Sequence, residues 1–223
     1  MDNIIVTNSL TKVYGEGANA VTALHPLSIK IKVGSINVIM GKSGSGKTTL
    51  LHLLAGIDVP TGGNVSYRGQ SIYQLKDADI AQIRGNKFGF IFQFFHLVPS
   101  MTVYDNITLP LIFTKQKIDT YKVKQLADRL GILNKLGTSP DMLSGGEQQR
   151  VAIARSMINS PEIIFADEPT GNLDQSNTDN VVELLVNLCK DDGLTLILVT
   201  HDQNLIPDPD YKYWMENGEL RAL

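Results

Sequence analysis

The 223-residue chain is long enough for one α/β domain with its own hydrophobic core. Its net charge of −3 gives no general attraction to nucleic acid, so we expect no nucleic-acid partner. The single cysteine, Cys189, excludes an intramolecular disulfide, and its apolar surroundings indicate core packing. No apolar run is long enough to span a bilayer, and the start at Met1 lacks signal-peptide features. We therefore expect a cytosolic chain whose membrane role, if it has one, requires a separate subunit.

A phosphate-binding loop is predicted early in the chain. Residues 36–40 have the pattern of a buried strand, and a helix-like stretch from residue 47 ends at Gly56. Glycines between them let the backbone curl around phosphate oxygens, and the helix N-terminus adds partial positive charge. A chance glycine turn is the alternative, but the flanking strand and helix are the context that the motif requires. The candidate nucleotide contacts are Gly41, Lys42, Ser43, Gly44, Ser45, Gly46, Lys47, Thr48 and Thr49.

Two side chains of this loop have specific expected roles. Lys47 is expected to reach the β- and γ-phosphates of a nucleotide. Thr48 is expected to ligate Mg²⁺ through its hydroxyl oxygen.

An aromatic segment follows in the middle of the chain. Phenylalanines alternate from Phe88 to Phe92, which predicts a strand whose aromatic side chains belong to the core. The alternation ends beyond Gln93, but large apolar residues continue as far as Phe113. A partly exposed apolar groove over residues 94–113 would bind a helix of a partner. Packing within the same chain is the alternative, and we expect it for about half of these residues.

Residues 143–150 read LSGGEQQR and predict the start of a helix. Ser144 and Glu147 have the spacing of a capping box, and apolar residues at helical spacing follow. Gly145 and Gly146 weaken the first turn of that helix, and a cap alone does not need them. They are understandable if a phosphate group approaches the backbone closely. Ser144, Gly145 and Gly146 are therefore candidate nucleotide contacts as well as parts of a helix cap.

An acidic pair follows the next apolar strand. Four of the five residues from 163 to 167 are apolar, which is typical of a strand buried on both faces of a parallel sheet. Such a strand ends at the carboxyl edge of the sheet, where ligands bind. Asp167 is placed to hold Mg²⁺ directly or through water, and Glu168 to orient or deprotonate an attacking water. Such a pair alone is usually a solvated turn, but the phosphate loop upstream favours the catalytic interpretation.

The phosphate loop, the segment 143–150 and the acidic pair occur in the order found in ATP-binding-cassette (ABC) ATPases, and the chain resembles that family over essentially its whole length. The resemblance implies an α/β fold with a P-loop NTPase (RecA-like) core, an antiparallel β-subdomain and an inserted α-helical subdomain. One ABC ATPase domain over residues 1–223 is expected, with the helical subdomain near 94–160. Strands before Gly34 and near 64–68 should form the antiparallel sheet over the adenine. Residues 119–131 have the pattern of an amphipathic helix, and 213–220 that of a hairpin.

The same resemblance implies roles for residues that no motif assigns alone. Tyr14 would stack on adenine, although an exposed strand tyrosine is the alternative. Gln93 would sense Mg²⁺ and the attacking water, and His201 would contact the γ-phosphate. Asp174 is the acidic residue of a loop that crosses to a partner subunit. Ser144 and its glycines would act on ATP bound to a second copy of the chain, and ATP and Mg²⁺ are the implied cofactors.

Residues 90–99 and 167–174 make the chain most similar to the bacterial lipoprotein-release, macrolide-export, peptide-antibiotic-resistance and cell-division ATPases. Lys42 stands where these relatives commonly have proline, and we expect its side chain to point away from the loop. The resemblance implies a permease subunit docked near residues 94–113, at the inner face of the cell membrane. A soluble ABC ATPase, or a regulatory ATPase acting on an extracytoplasmic enzyme through a membrane partner, are the alternatives. Three histidines match no catalytic position and are expected to be structural or at the surface: His25, His52 and His96.

Overall fold

The computed structural model describes residues 2–223 and has eleven strands and six α-helices in that range. The strands are β1 (Asn3–Tyr14), β2 (Val21–Leu27), β3 (Lys30–Lys32), β4 (Ile36–Met40), β5 (Gly62–Tyr67), β6 (Gln70–Ser71), β7 (Phe88–Ile91), β8 (Ile163–Asp167), β9 (Thr195–Thr200), β10 (Tyr211–Glu216) and β11 (Glu219–Ala222). The helices are α1 (Lys47–Leu54), α2 (Asp77–Lys87), α3 (Val103–Phe113), α4 (Thr120–Arg129), α5 (Gly145–Met157) and α6 (Gln175–Asp191).

A six-stranded sheet forms the centre, in the order β11–β10–β4–β9–β8–β7. All neighbours pair in parallel except β11, which forms an antiparallel hairpin with β10. Side chains alternate between the two faces, so Leu196 and Leu198 of β9 belong to one buried cluster while Ile197 and Val199 belong to another. Because five strands run in the same direction, their carboxyl ends meet along one edge of the sheet.

The predicted antiparallel sheet lies over one face of the central sheet. Its order is β2–β1–β5–β6, and β3 also pairs with β1. The strand expected near residues 64–68 is β5, whose Ser66 pairs with Val6 of β1 in antiparallel register. Apolar residues of this sheet, of α1 and of the central sheet form one core cluster. This packing fixes the position of β2 and of the end of β1 relative to the phosphate loop.

Helices α3 to α6 cover the opposite face. The helix predicted over residues 119–131 is α4, and the carboxylate of Asp119 caps it by accepting from the backbone N–H of Tyr121. Pro110 lies in the last turn of α3, and the helix continues to Phe113. Only one main-chain hydrogen bond is lost to the proline ring nitrogen. The single domain over 1–223, of which Met1 lies outside the described residues, and its helical subdomain near 94–160 stay predictions.

Cys189 was predicted to be a core residue. Cys189 is fully buried in α6, and burial raises the pKa of its thiol to about 12, as expected of a packing residue. Within residues 2–223, no helix combines the length and the apolar character needed to cross a bilayer.

Candidate active site

A cleft of about 890 Å³ lies at the carboxyl edge of the central sheet. The loops that follow β4, β7, β8, β9 and β10 all contribute to it, which is where open α/β sheets bind ligands. The structure brings together ten of the residues singled out from the sequence: Ser43, Gly44, Gly46, Lys47, Thr48, Thr49, Gln93, Asp167, Glu168 and His201.

The phosphate loop begins after β4 and continues directly into α1. Gly46 is the N-cap of α1 with a φ of 103°, and a Cβ atom there would collide with the carbonyl oxygen of Ala23. Lys47 is 6% exposed, and its ammonium donates to the carbonyl oxygens of Gly41 at 2.8 Å and Lys42 at 3.0 Å. The Lys42 side chain is exposed and outside the cleft lining, as expected. The loop therefore presents one buried positive charge to the cleft.

Asp167 ends β8 beside the start of α1. Its Oδ1 accepts a hydrogen bond from the Thr48 hydroxyl at 3.1 Å. Burial raises the pKa of Asp167, and the neighbouring charge of Glu168 acts in the same direction. The charge of Lys47 opposes this shift only in part, so ionisation of the carboxylate is disfavoured, and a bound cation would favour it.

Glu168 follows β8 in a left-handed backbone conformation, with a φ of 46°. A non-glycine residue held there stores on the order of 1–3 kcal/mol of strain, which surrounding contacts must offset. Its N–H donates to the carbonyl oxygen of Val199 at 3.0 Å. Its Oε2 lies 2.9 Å from Nδ1 of His201, and its Oε1 lies 3.8 Å from Nζ of Lys47. The carboxylate thus sits between the phosphate-loop lysine and the histidine that follows β9.

Gln93 follows β7 and contacts the loop after Glu168. A Cβ atom on Gly171 would lie 2.9 Å from Nε2 of Gln93, so this glycine allows close packing. Asn172 donates from its side chain to the Gln93 carbonyl oxygen at 2.8 Å. Asp174 caps α6, accepting from the Asn177 N–H at 2.9 Å, and it lies outside the cleft lining. Its expected part in a contact between subunits stays a prediction.

The capping box predicted at residues 144–147 is present. The Ser144 hydroxyl accepts from the Glu147 N–H, and the Glu147 carboxylate accepts from the Ser144 N–H at 2.9 Å. A Cβ atom on Gly146 would lie 2.8 Å from the side-chain oxygen of Asn177, and one on Gly145 3.3 Å from Leu173. The glycines therefore also let α5 pack against the start of α6. This packing role was not predicted from the sequence, and Ser144, Gly145 and Gly146 do not line the cleft of their own chain.

Tyr14 lies at the end of β1 with 44% of its surface exposed. Its hydroxyl donates to Asp58 at 2.7 Å, and the Lys12 ammonium, paired with Asp58, lies 4.7 Å from the ring centroid. Burial, followed by the hydrogen bond to Asp58, raises the pKa of Tyr14. Lys12 covers one face of the ring, so a stacked base would use the other face. Tyr14 is outside the cleft lining, so its contact with adenine stays a prediction.

One wall of the cleft, formed by β2 and the β10–β11 turn, was not predicted from the sequence. His25 donates its N–H to the Gly218 carbonyl oxygen at 2.9 Å, and Gly218 donates to the carbonyl oxygen of Ser45 at 3.0 Å. His25 is exposed, as expected, but it also lines the cleft with Asn217. The hairpin predicted over 213–220 includes Asn217 and Gly218, but its turn reaches the cleft through the parallel pairing of β10 with β4, which the sequence alone does not reveal. The missed lining residues are Val21, Thr22, Ala23, His25, Asn217 and Gly218.

Comparison with known families agrees with the fold. Residues 24–171 match the family model described as ABC transporter. The chain belongs to the ABC transporter family. It has the ABC cassette fold and is an ABC ATPase, a class that binds and hydrolyses ATP. The family match includes the phosphate loop, the segment 143–150 and the acidic pair.

Solved ABC proteins superpose over nearly the whole chain. The dimeric structure of MJ0796, a bacterial ABC transporter cassette, is 36% identical with a TM-score of 0.87, and 98% of each chain is covered. A dimeric post-hydrolysis state of MJ0796 bound to ADP and Pi is 35% identical with a TM-score of 0.89, covering 98% of this chain and 97% of that one. CbiO1 from Clostridium perfringens, part of the ABC transporter complex cbiONQ, is 28% identical with a TM-score of 0.87, covering 99% and 88% respectively.

Proposed function

We propose that this ABC ATPase works as a dimer that closes around two ATP molecules and drives separate transmembrane subunits of a transporter or membrane-acting complex. The observation that carries the proposal is the convergence of charged and polar side chains on one cleft. Glu168 lies within ion-pair distance of Lys47 in the phosphate loop and within hydrogen-bond distance of His201 after β9. Gln93, Thr48 and Asp167 line the same cleft.

The proposed reaction is attack of water on the γ-phosphorus of ATP. The water oxygen forms a bond to phosphorus, the bond to the β-phosphate oxygen breaks, and a water proton passes to Glu168. Removing that proton is the work of a general base, which the position of Glu168 between Lys47 and His201 supports. Lys47 would exchange its carbonyl partners in the loop for phosphate oxygens, and His201 would donate to the γ-phosphate. ADP and phosphate leave when the dimer opens.

The residues around Thr48 fit a magnesium ion. The Thr48 hydroxyl and the Asp167 carboxylate are already in contact, and the Gln93 amide lines the same cleft. All three offer hard oxygen atoms. Within residues 2–223 no group of three or more His, Cys, Asp or Glu could hold a metal. Few protein ligands suit Mg²⁺, which usually completes its shell with phosphate and water. The ion supplies neutralisation of negative charge on the phosphates when bound.

The dimer would place the N-terminus of α5 against ATP held by the other chain. The free face of a helix N-terminus attracts anions, and Ser144 offers a hydroxyl there. Ser144, Gly145 and Gly146 lie outside the cleft of their own chain, which fits a contact in trans. Asp174, at the start of α6, would lie near the same interface. The dimeric state of the MJ0796 cassette supports the arrangement.

A groove of about 510 Å³ is the proposed docking site for the permease. The prediction that Phe90 and Phe92 are core residues was wrong in part. Both rings are half-buried, because β7 ends at Ile91 and is an edge strand. The two rings stack with their centroids 6.1 Å apart and line the groove. Phe113, on α3, is 78% exposed at its rim. An apolar groove of this kind would accept a helix of a membrane subunit.

The groove also accounts for the proposed location. The chain would lie at the inner face of the cell membrane because it is held there by the permease.

We assign it to the lipoprotein-release, macrolide-export, peptide-antibiotic-resistance and cell-division group on residues 90–99 and 167–174. No nucleic-acid partner is part of the proposal.

Two measurements test these proposals. Purified protein should hydrolyse ATP only when Mg²⁺ is present, and absence of Mg²⁺-dependent hydrolysis would contradict the catalytic assignment.

In cells, Phe113→Asp should lower the fraction of the protein that sediments with membranes, because a charge at the rim opposes burial against an apolar helix. The matched control is Tyr121→Asp, which changes a similarly exposed aromatic residue on α4 away from the groove. Equal membrane fractions for wild type and Phe113→Asp would contradict this docking site.

A further inference from the structure

Gln149 is an unusual residue for the interior of α5. It is fully buried, and its side-chain Nε2 donates to the carbonyl oxygen of Pro169 at 2.5 Å. Its Oε1 is buried and has no hydrogen-bond partner among the described residues. A buried acceptor without a partner is costly, whereas methionine would fill a similar volume without a polar atom. Packing alone therefore does not explain a glutamine at this position.

The partner of Gln149 follows the proposed base directly. Pro169 is buried and is the residue after Glu168, whose backbone is held in the left-handed region. On the other side, the Glu168 N–H is bonded to Val199 of β9. The Gly171 N–H bonds back to the Glu168 carbonyl oxygen at 3.0 Å, which closes a tight turn. Gln149 thus attaches this turn to α5 at the Pro169–Thr170 peptide unit, the second unit after the base.

We propose that Gln149 is a positioning residue for hydrolysis. It fixes the Pro169 carbonyl and thereby holds the Glu168 backbone in the conformation that directs its carboxylate between Lys47 and His201. The inference rests on the proposed role of Glu168. Gln149 also joins two parts of the proposed mechanism: α5 begins at Ser144, the proposed contact to ATP in the other chain, and Gln149 ties that helix to the base. A shift of α5 would be transmitted to the turn that carries Glu168.

The test compares Gln149→Met with wild type in a steady-state ATPase assay. The turnover number kcat should fall roughly tenfold to a hundredfold, the loss expected when a catalytic group is displaced by about 1 Å. Equilibrium binding of ATP to the isolated chain should stay at the wild-type level, because the phosphate loop is untouched. The thermal midpoint should change little. The substitution removes one unpaired buried acceptor, Oε1, and creates another at the Pro169 oxygen.

Thr195→Val is the matched control. Thr195 is fully buried at the start of β9, at the opposite edge of the sheet, where its hydroxyl accepts from the Gly34 N–H at 2.9 Å. The change is isosteric and also removes a part-buried hydrogen bond between a side chain and the backbone, but it leaves the turn after Glu168 alone. Its kcat should equal that of wild type.

A second readout guards against poor folding of the methionine variant. In Gln149→Asn the amide is one methylene shorter and cannot reach the Pro169 oxygen. Amide hydrogen exchange of Glu168 and of residues 170–172 should be faster in this variant, with exchange elsewhere unchanged and a loss of kcat as in Gln149→Met. Wild-type kcat in either variant would overturn the inference, and so would parallel losses of kcat, ATP affinity and thermal stability. Failure of the wild-type protein to hydrolyse ATP would instead overturn the proposed function.

Discussion

Replacing Glu168 by glutamine tests the assignment of the base. The amide keeps the shape of the side chain and an oxygen that can still accept from His201, but it cannot take a proton from water. Loss of a general base costs about 10²- to 10⁴-fold in rate. At 1.36 kcal/mol per factor of ten, this is about 2.7–5.4 kcal/mol in the activation free energy. ATP binding should persist, because Lys47 keeps its place in the loop and loses only a neighbouring charge at 3.8 Å.

The assay measures phosphate release at saturating ATP and Mg²⁺, with ATP affinity measured separately by calorimetry. Glu162→Gln is the matched control, because it is the same substitution at the other end of the same strand. Glu162 directly precedes β8, and Glu168 directly follows it. The control breaks ion pairs to Arg68 at 2.5 Å and Lys87 at 2.9 Å, at the far edge of the sheet. These pairs are partly exposed, so the cost should be about 0–1 kcal/mol of stability with no loss of rate. A Glu168→Gln protein with wild-type turnover would refute the role given to Glu168.

Three further outcomes are expected. Lys47→Ala removes the positive charge that faces the phosphates. ATP affinity measured by calorimetry should fall roughly tenfold to a hundredfold, which corresponds to the free energy of one hydrogen bond to a charged group. Unchanged affinity would mean that the loop is not the phosphate site. Asp167→Asn should abolish Mg²⁺-dependent turnover yet leave the nucleotide-free protein at least as stable as wild type at pH 7 by thermal unfolding. Because the pKa of Asp167 is raised in the folded state, its ionisation lowers the stability of the wild type above the folded pKa, and this penalty is absent below the unfolded value of 3.8. A thermal midpoint that is lower for the variant than for wild type at pH 7, but not at pH 4, would contradict this expectation. Asp58→Ala removes the acceptor that holds the Tyr14 hydroxyl, and the KM for ATP should rise about two- to tenfold with kcat unchanged. Asp58→Asn keeps an acceptor for that hydroxyl and should have the smaller effect. Equal KM values in wild type and both variants would argue against stacking of adenine on Tyr14.

The sequence predicted the parts of the site that local patterns determine. The strand, glycine loop and helix around Lys47 follow from residue order, and the acidic pair follows from an apolar strand that ends at Asp167. Their convergence was expected because parallel strands end at one edge of a sheet. The capping box at Ser144 was also readable, because its two partners are only three residues apart.

Contacts between distant segments were not readable in the same way. The packing of Gly146 against Asn177 requires knowledge of how α5 meets α6, and no local pattern contains it. The same holds for His25, which reaches the cleft because β2 lies beside the β10–β11 turn. The half-burial of Phe90 depends on the place of β7 at the sheet edge, which alternation along the chain does not reveal.

The central claim is that two chains close around ATP with Ser144 of each acting on nucleotide held by the other. Sedimentation velocity of the Glu168→Gln protein, with and without ATP and Mg²⁺ over a range of concentrations, tests it most directly. We expect a monomer without ATP and a dimer with ATP. The dimer should be lost when Ser144→Arg is added, although ATP still binds to each chain. An ATP-bound Glu168→Gln protein that stays monomeric at high concentration, alone and with a membrane partner, would contradict the claim and leave helix capping as the account of Ser144.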